Sequence, residues 1–227
     1  MAEIGDVEGL KKEAGKEEMK KYQIYEVREL LALDIEPVEW LIPWILPHPC
    51  ITAWSGLFGS YKTFFTLWTM LRMNLVLPVF APYETPFFES NEPYPKRIRS
   101  LLIEEENGLR LTKSRVAGLK NIGVQDIYYM VQQGISFSNK AAVFGLIDWC
   151  KEKGVVVVFF DAFSSMFELK SENDNAEVAR QMKWVAQTFT NNGISLLFLH
   201  HPAKNSEGNS LRGAGEITGR VDLHIAF

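Results

Sequence analysis

With 227 residues, 47% of them hydrophobic, the chain is long enough for one medium α/β domain with a sizeable core and a short appendage. Its formal net charge of -4 excludes a broad basic face of the kind that grips duplex DNA, so any nucleic-acid contact is local, through a few basic loops. The two cysteines, Cys50 and Cys150, show no metal-ligand spacing and read as plain thiols of a reducing compartment.

Residues Glu3 to Lys21 mix acidic and basic side chains without an apolar signal region, and predict a solvated helix or tail. Tyr22 to Leu33 carries Ile24, Val27, Leu30 and Leu31 at helical spacing, which predicts a short amphipathic helix. Glu36 to Pro49, with Trp40, Trp44 and four prolines, reads as an extended apolar lead-in packed on the domain. Strands and helices then alternate. Strands are expected over Ile51–Trp54, Arg99–Glu104, Ile127–Val131, Val155–Phe160, Ile194–Leu199 and Val221–Phe227. Between them, helices are expected over Lys62–Leu75, Leu109–Lys120, Lys140–Lys153 and Glu177–Asn191, and a long Pro-rich loop over Pro78–Pro95. Such alternation implies an α/β fold, a mainly parallel sheet covered by helices. The most apolar run, Gly154 to Phe163, is too short to span a bilayer and carries Asp161, so a cytoplasmic protein without membrane contact is expected.

The first strand runs into Ser55-Gly56-Leu57-Phe58-Gly59-Ser60-Tyr61-Lys62-Thr63 and then into a helix. This order matches a phosphate loop: glycines let backbone N–H groups turn inward around phosphate oxygens, and the helix N-terminus adds positive potential. In that reading Gly56, Gly59, Ser60, Tyr61, Lys62, Thr63 and Phe64 surround a bound ATP. Lys62 bridges the β- and γ-phosphates, and the Thr63 hydroxyl ligates Mg²⁺. One position departs from the pattern, because Tyr61 stands where the second glycine belongs.

Three strand ends carry further chemistry. The apolar strand from Val155 ends in Asp161, which either caps the next helix or, with a phosphate loop upstream, holds Mg²⁺. The strand from Arg99 leads into Glu104-Glu105-Glu106-Asn107, three adjacent carboxylates that repel one another. One of them can deprotonate an attacking water; the alternative is a solvated acidic turn. The strand from Ile194 ends in His200-His201-Pro202, placing one histidine near a γ-phosphate; zinc is the rival, but no Cys or third His lies at ligand spacing. The polar loop from Asn205 to Gly215, flanked by Lys204 and holding Arg212, is either a plain surface loop or a contact for a nucleic-acid backbone.

Taken together these motifs resemble the RepA-type hexameric helicase branch of the RecA-like ATPases, over about Val38 to Phe227. The resemblance rests on Trp40-Leu41-Ile42-Pro43, on Gly59-Ser60-Tyr61-Lys62-Thr63-Phe64, on Glu106-Asn107-Gly108-Leu109-Arg110 with Arg115, on Glu172-Asn173-Asp174-Asn175, and on His200-His201 with Lys204 and Arg212-Gly213. Its Ser-Tyr-Lys-Thr-Phe form of the loop is one that many members carry. His48-Pro49-Cys50 departs from the family's usual Pro-Gly-Gly. The resemblance implies a RecA-like domain over residues 37–227 behind a polar tail and short helix at 1–36, with the His201 strand between the Lys62 and Asp161 strands. It implies Glu106 as catalytic base with Glu105 as second choice, and His201 as sensor of the γ-phosphate. It further implies a ring with ATP at subunit interfaces, single-stranded DNA on central loops through Lys204 and Arg212, and further strands after Phe227 carrying basic residues that act in trans, with Arg220 as a stand-in. The activity expected is that of a motor ATPase acting on single-stranded DNA. The alternative is a nucleotide-dependent switch or scaffold that does not unwind it.

Overall fold

The structure, a computed structural model, describes residues 18–35, 38–42, 46–57, 59–77, 79, 97–118, 126–167, 175–200 and 221–226. The chain divides into two compact units, Met1–Pro37 and Val38–Phe227.

The described residues of the first unit include a short helix, α1 (Val27–Leu31). Glu26 and Glu29 form a reciprocal capping box, each side chain taking the other end's backbone N–H, and this sets the helix start. The helix is shorter than the Tyr22–Leu33 expected, because its apolar spacing buries none of its residues and so short a helix gains little from hydrogen bonds alone.

The second unit opens with a feature not read from the sequence. Glu39–Ile42 (β1) pairs antiparallel with Leu46–His48 (β2), so the lead-in is a hairpin that buries Leu41, Ile42 and Leu46. Its prolines concealed it, since they fall between and at the end of the strands and in the irregular part of the pairing. Next come β3 (Ile51–Ser55), α2 (Lys62–Asn74), β4 (Arg99–Glu104), α3 (Leu109–Val116), β5 (Ile127–Val131), α4 (Lys140–Lys153), β6 (Val155–Asp161), α5 (Asn175–Thr190), β7 (Ser195–His200) and β8 (Leu223–Ala226). The expected Pro78–Pro95 loop lies almost wholly outside the described residues.

The main sheet has the order β5-β4-β6-β7-β3-β8, and every neighbouring pair in it is parallel. The four inner strands are almost wholly buried, as helix cover on both faces requires, while β5 and β8 at the edges are half-buried. Alternation splits their side chains between two cores. Phe160 and Phe198 stack with centroids 5.3 Å apart on one face, among Phe137, Met182, Val185 and Phe189. Phe159, Leu197 and Leu199 meet Trp54, Met70 and Met73 on the other. Gly154 and Gly193, at φ 67° and 69°, end α4 and follow α5 in the left-handed backbone that such stops use. Both cysteines are free and buried. Among the described residues no helix is long and apolar enough to cross a membrane.

Parallel pairing brings the C-terminal ends of the inner strands to one edge. Ser55 lies opposite His200, and Glu104 opposite Asp161. Strand β7 sits between β6 and β3, the place the sequence reading assigned to the histidine strand. In open α/β sheets, ligands bind in the crevice outside such carboxyl ends.

Candidate active site

The loop between β3 and α2 begins at buried Ser55, whose Oγ lies 2.7 Å from His224 Nε2 on β8. The Gly56 N–H donates to the carbonyl of His200. Gly59 is left-handed at φ 78°, and so is Tyr61 at φ 60° and ψ 18°. This explains the departure at position 61: the turn into the helix needs a positive φ, which glycine adopts freely and tyrosine adopts at about 1–2 kcal/mol. The tyrosine ring is 75% exposed, so it meets no steric obstacle. The N-cap residue Tyr61 makes no side-chain cap bond to α2, and the first amides of an uncapped helix are donors that suit an anion.

Lys62 is 5% exposed, and its Nζ donates to the carbonyls of Gly56 (2.6 Å) and Leu57 (2.9 Å) and to Ser60 Oγ (3.2 Å). Burial lowers its titration below the usual lysine range, while the Asp161 and Glu106 carboxylates pull it back up. The Thr63 hydroxyl donates to Asp161 Oδ2 at 2.8 Å, joining two residues 98 positions apart. Asp161 is buried and titrates at about 7; burial is the main cause, Glu104 and Glu106 add to it, and the Thr63 bond and Arg115 oppose it. A buried carboxyl raised this far, beside two more carboxylates and a hydroxyl, fits a hard divalent cation. Among the described residues no three His, Cys, Asp or Glu side chains are placed to hold a metal by themselves. A cation here would share its shell with water and phosphate oxygens, as Mg²⁺ does.

The acidic run separates into three different environments. Glu104, 1% exposed, accepts at Oε1 from the backbone N–H of Glu106 (3.0 Å) and Asn107 (2.8 Å), and both its oxygens lie 3.2 Å from Asn107 Nδ2. Arg115 stands 3.8 Å from its Oε2, and burial raises its titration more than these partners lower it. Glu105 Oε1 accepts from the backbone of Gln133 and Gly134. Glu106 is exposed, and its charge is felt by both Lys62 and Asp161. The binding of the turn by Glu104 was missed by sequence reasoning; the only available signal was its place at the last position of a buried strand.

Phe64, 54% exposed, lies 6.3 Å from the Tyr61 ring, with the Arg115 guanidinium 5.5 Å from its own. Two contacts between distant residues were also missed. One is Ser55 with His224; the other is His48 Nδ1 at 2.8 Å from Ser195 Oγ, which also accepts from the Cys50 N–H. His201, Lys204, Arg212 and Arg220 lie outside the described residues.

A parallel sheet that sets a lysine-bearing loop and two acidic strand tips along one edge defines a P-loop ATPase of RecA-like fold. The family model described as an AAA domain matches residues 16–207, and the chain belongs to that family of nucleotide-binding ATPases. No curated protein matches the sequence.

Proposed function

We propose that the chain is a Mg²⁺-dependent motor ATPase that acts on single-stranded DNA, a DNA helicase of the RepA-type branch serving replication of a mobile element. The observation that carries this reading is the convergence of Lys62, Thr63, Asp161 and Glu106 at one end of the sheet, with Thr63 bonded to Asp161. Lys62 leaves its loop carbonyls to meet the β- and γ-phosphates, while the amides at the start of α2 hold their oxygens. Thr63 and Asp161 would hold Mg²⁺, which would supply positive charge to offset that of the phosphates. Glu106 takes the proton of the water whose oxygen bonds to the γ-phosphorus as the bond to the leaving ADP oxygen breaks. The motor domain is assigned to residues 37–227, behind the 1–36 segment, and the compact unit that starts at Val38 supports that division. In the assembled ring His201 reads the γ-phosphate, and Arg220 reaches a neighbour's site.

The net charge of -4 favours a second reading, a nucleotide switch or scaffold that binds ATP and partners without unwinding DNA. Steady-state ATP hydrolysis with and without single-stranded DNA separates the two. The motor reading expects stimulation by DNA, dependence on Mg²⁺, and a Glu106→Gln variant that still binds ATP but hydrolyses it on the order of 10²–10⁴ more slowly. Hydrolysis indifferent to DNA would leave the switch reading standing.

A further inference from the structure

Three consecutive glutamates leave open why Glu105, between the buried Glu104 and the candidate base, is itself a carboxylate. Its surroundings answer the question. After β5 the chain turns through Gln132 at φ 49° and Gly134 at φ 67°. This turns the N–H groups of Gln133 and Gly134 towards a single acceptor, Glu105 Oε1, at 3.2 and 3.0 Å. Successive amides in such a turn form a concave anion seat, and a carboxylate in it makes charge-assisted bonds. The same loop is held by its backbone, since the Gln132 N–H donates to the Glu104 carbonyl at 2.8 Å. The Glu105 N–H in turn donates to the carbonyl of Asp161 at 2.6 Å. Residue 105 is thus tied on one side to the tip of β6 and on the other to the loop after β5. The next residue, Glu106, has its own N–H held by Glu104.

We infer that Glu105 is a positioning residue: its carboxylate, seated on the Gln133 and Gly134 amides, holds the acidic turn so that Glu106 faces Lys62 and Asp161. This rests on the reading of Glu106 as base. It also separates two residues that the sequence left as alternatives for that role. A base needs an oxygen open to water, whereas the bonded oxygen of Glu105 is committed to two amides of a neighbouring loop.

One oxygen accepts both N–H groups, so an amide side chain can keep the clamp while removing the charge and the basicity. Steady-state kinetics on the full chain with Glu105→Ala, Glu105→Gln and Glu106→Gln therefore distinguish the roles. Glu105→Ala should lower kcat roughly 10²-fold, the scale of a misplaced catalytic group, while KM for ATP moves little because the phosphate loop is untouched. Glu105→Gln should restore most of kcat, whereas Glu106→Gln should stay on the order of 10²–10⁴ below the wild type. A Glu105→Gln chain as inactive as Glu106→Gln would make Glu105 the base and overturn the inference; so would Glu105→Ala at wild-type kcat. Hydrogen exchange adds a readout independent of turnover: the amides of Gln133 and Gly134 should exchange faster in Glu105→Ala and at the wild-type rate in Glu105→Gln. Unchanged exchange in Glu105→Ala removes the clamp. A wild-type chain that hydrolyses no ATP sinks the ATPase reading and this inference with it, before any variant is compared.

Discussion

Single residues at the phosphate loop divide into those that act through side chains and those that act through backbone. Lys62 is the first kind: buried, partly desolvated, and bonded to loop oxygens that are weaker partners than a phosphate. Lys62→Ala should abolish tight ATP binding, because amides alone do not neutralise the β- and γ-phosphates. Titration calorimetry that returned wild-type affinity would refute the assignment. Tyr61 is the second kind, contributing a left-handed backbone while its ring faces solvent. Tyr61→Gly should relieve about 1 kcal/mol of strain, less the extra chain entropy that glycine loses on folding. A higher urea midpoint with ATP affinity kept within about threefold is the expected result. A large loss of affinity would show that the ring itself contacts nucleotide. Lys62, Thr63 and Asp161 were legible as candidates because each sits in a local pattern of strand, loop and carboxylate. Two other contacts were not, because Ser195 lies 147 positions from His48 and His224 lies 169 from Ser55, and no period in the chain links them.

At the scale of elements, the buried strands and the helices over them followed from uninterrupted apolar runs and from helical spacing, and all but α3 fall within a residue or two of expectation. Helix α5 runs Asn175–Thr190 and seats Met182, Val185 and Phe189 in the core; the Val178 side chain lies outside those described. Helix α3 is regular only over Leu109–Val116; residues 119 and 120 of the expected span lie outside the described residues. What burial does to the thiols gives a test of this packing. Cys50, just before β3, is pushed up to about 11, and Cys150 in α4 to about 12, with burial the largest cause in each. Both titrate higher folded than unfolded, so each contributes stability that is present below the ordinary thiol pKa. That stability is lost as pH rises towards 11–12. The native protein should therefore resist iodoacetamide at pH 8 and react at both positions once unfolded in urea, as mass spectrometry would count. Its stability should also fall as pH rises above about 9, and less steeply in Cys150→Ala measured against its own neutral-pH value. Rapid native labelling of Cys150 would contradict its place on the buried face of α4.

For the whole molecule, the sheet order links the nucleotide to whatever residues 201–220 contact. Strand β7 lies between the strand of the phosphate loop and the strand of Asp161. The chain therefore leaves His200 between the two halves of the site, where the Gly56 N–H already binds the His200 carbonyl. On the proposed reading, the nucleic-acid contact through Lys204 and Arg212 would follow His200 directly in the chain, which is how nucleotide state would reach it. The net charge of -4 adds a constraint: such binding cannot draw on a general positive field and depends on a few local phosphate contacts. Single-stranded DNA should accordingly bind weakly and lose affinity steeply with salt. For single strands the slope of log K against log salt is about 0.7 per phosphate neutralised, so Lys204→Ala and Arg212→Ala should each flatten it by roughly that amount. Removing both should flatten it by about twice as much, provided the two contacts are independent. Fluorescence anisotropy on a labelled oligonucleotide at four or five salt concentrations, with and without a non-hydrolysable ATP analogue, measures both slope and coupling. Tighter binding with the analogue in the wild type, and loss of that difference in His201→Ala with ATP affinity unchanged, would support the sensor at the end of β7. Binding indifferent to salt, to both substitutions and to nucleotide would remove DNA from the reading and leave an ATPase whose partner is another protein.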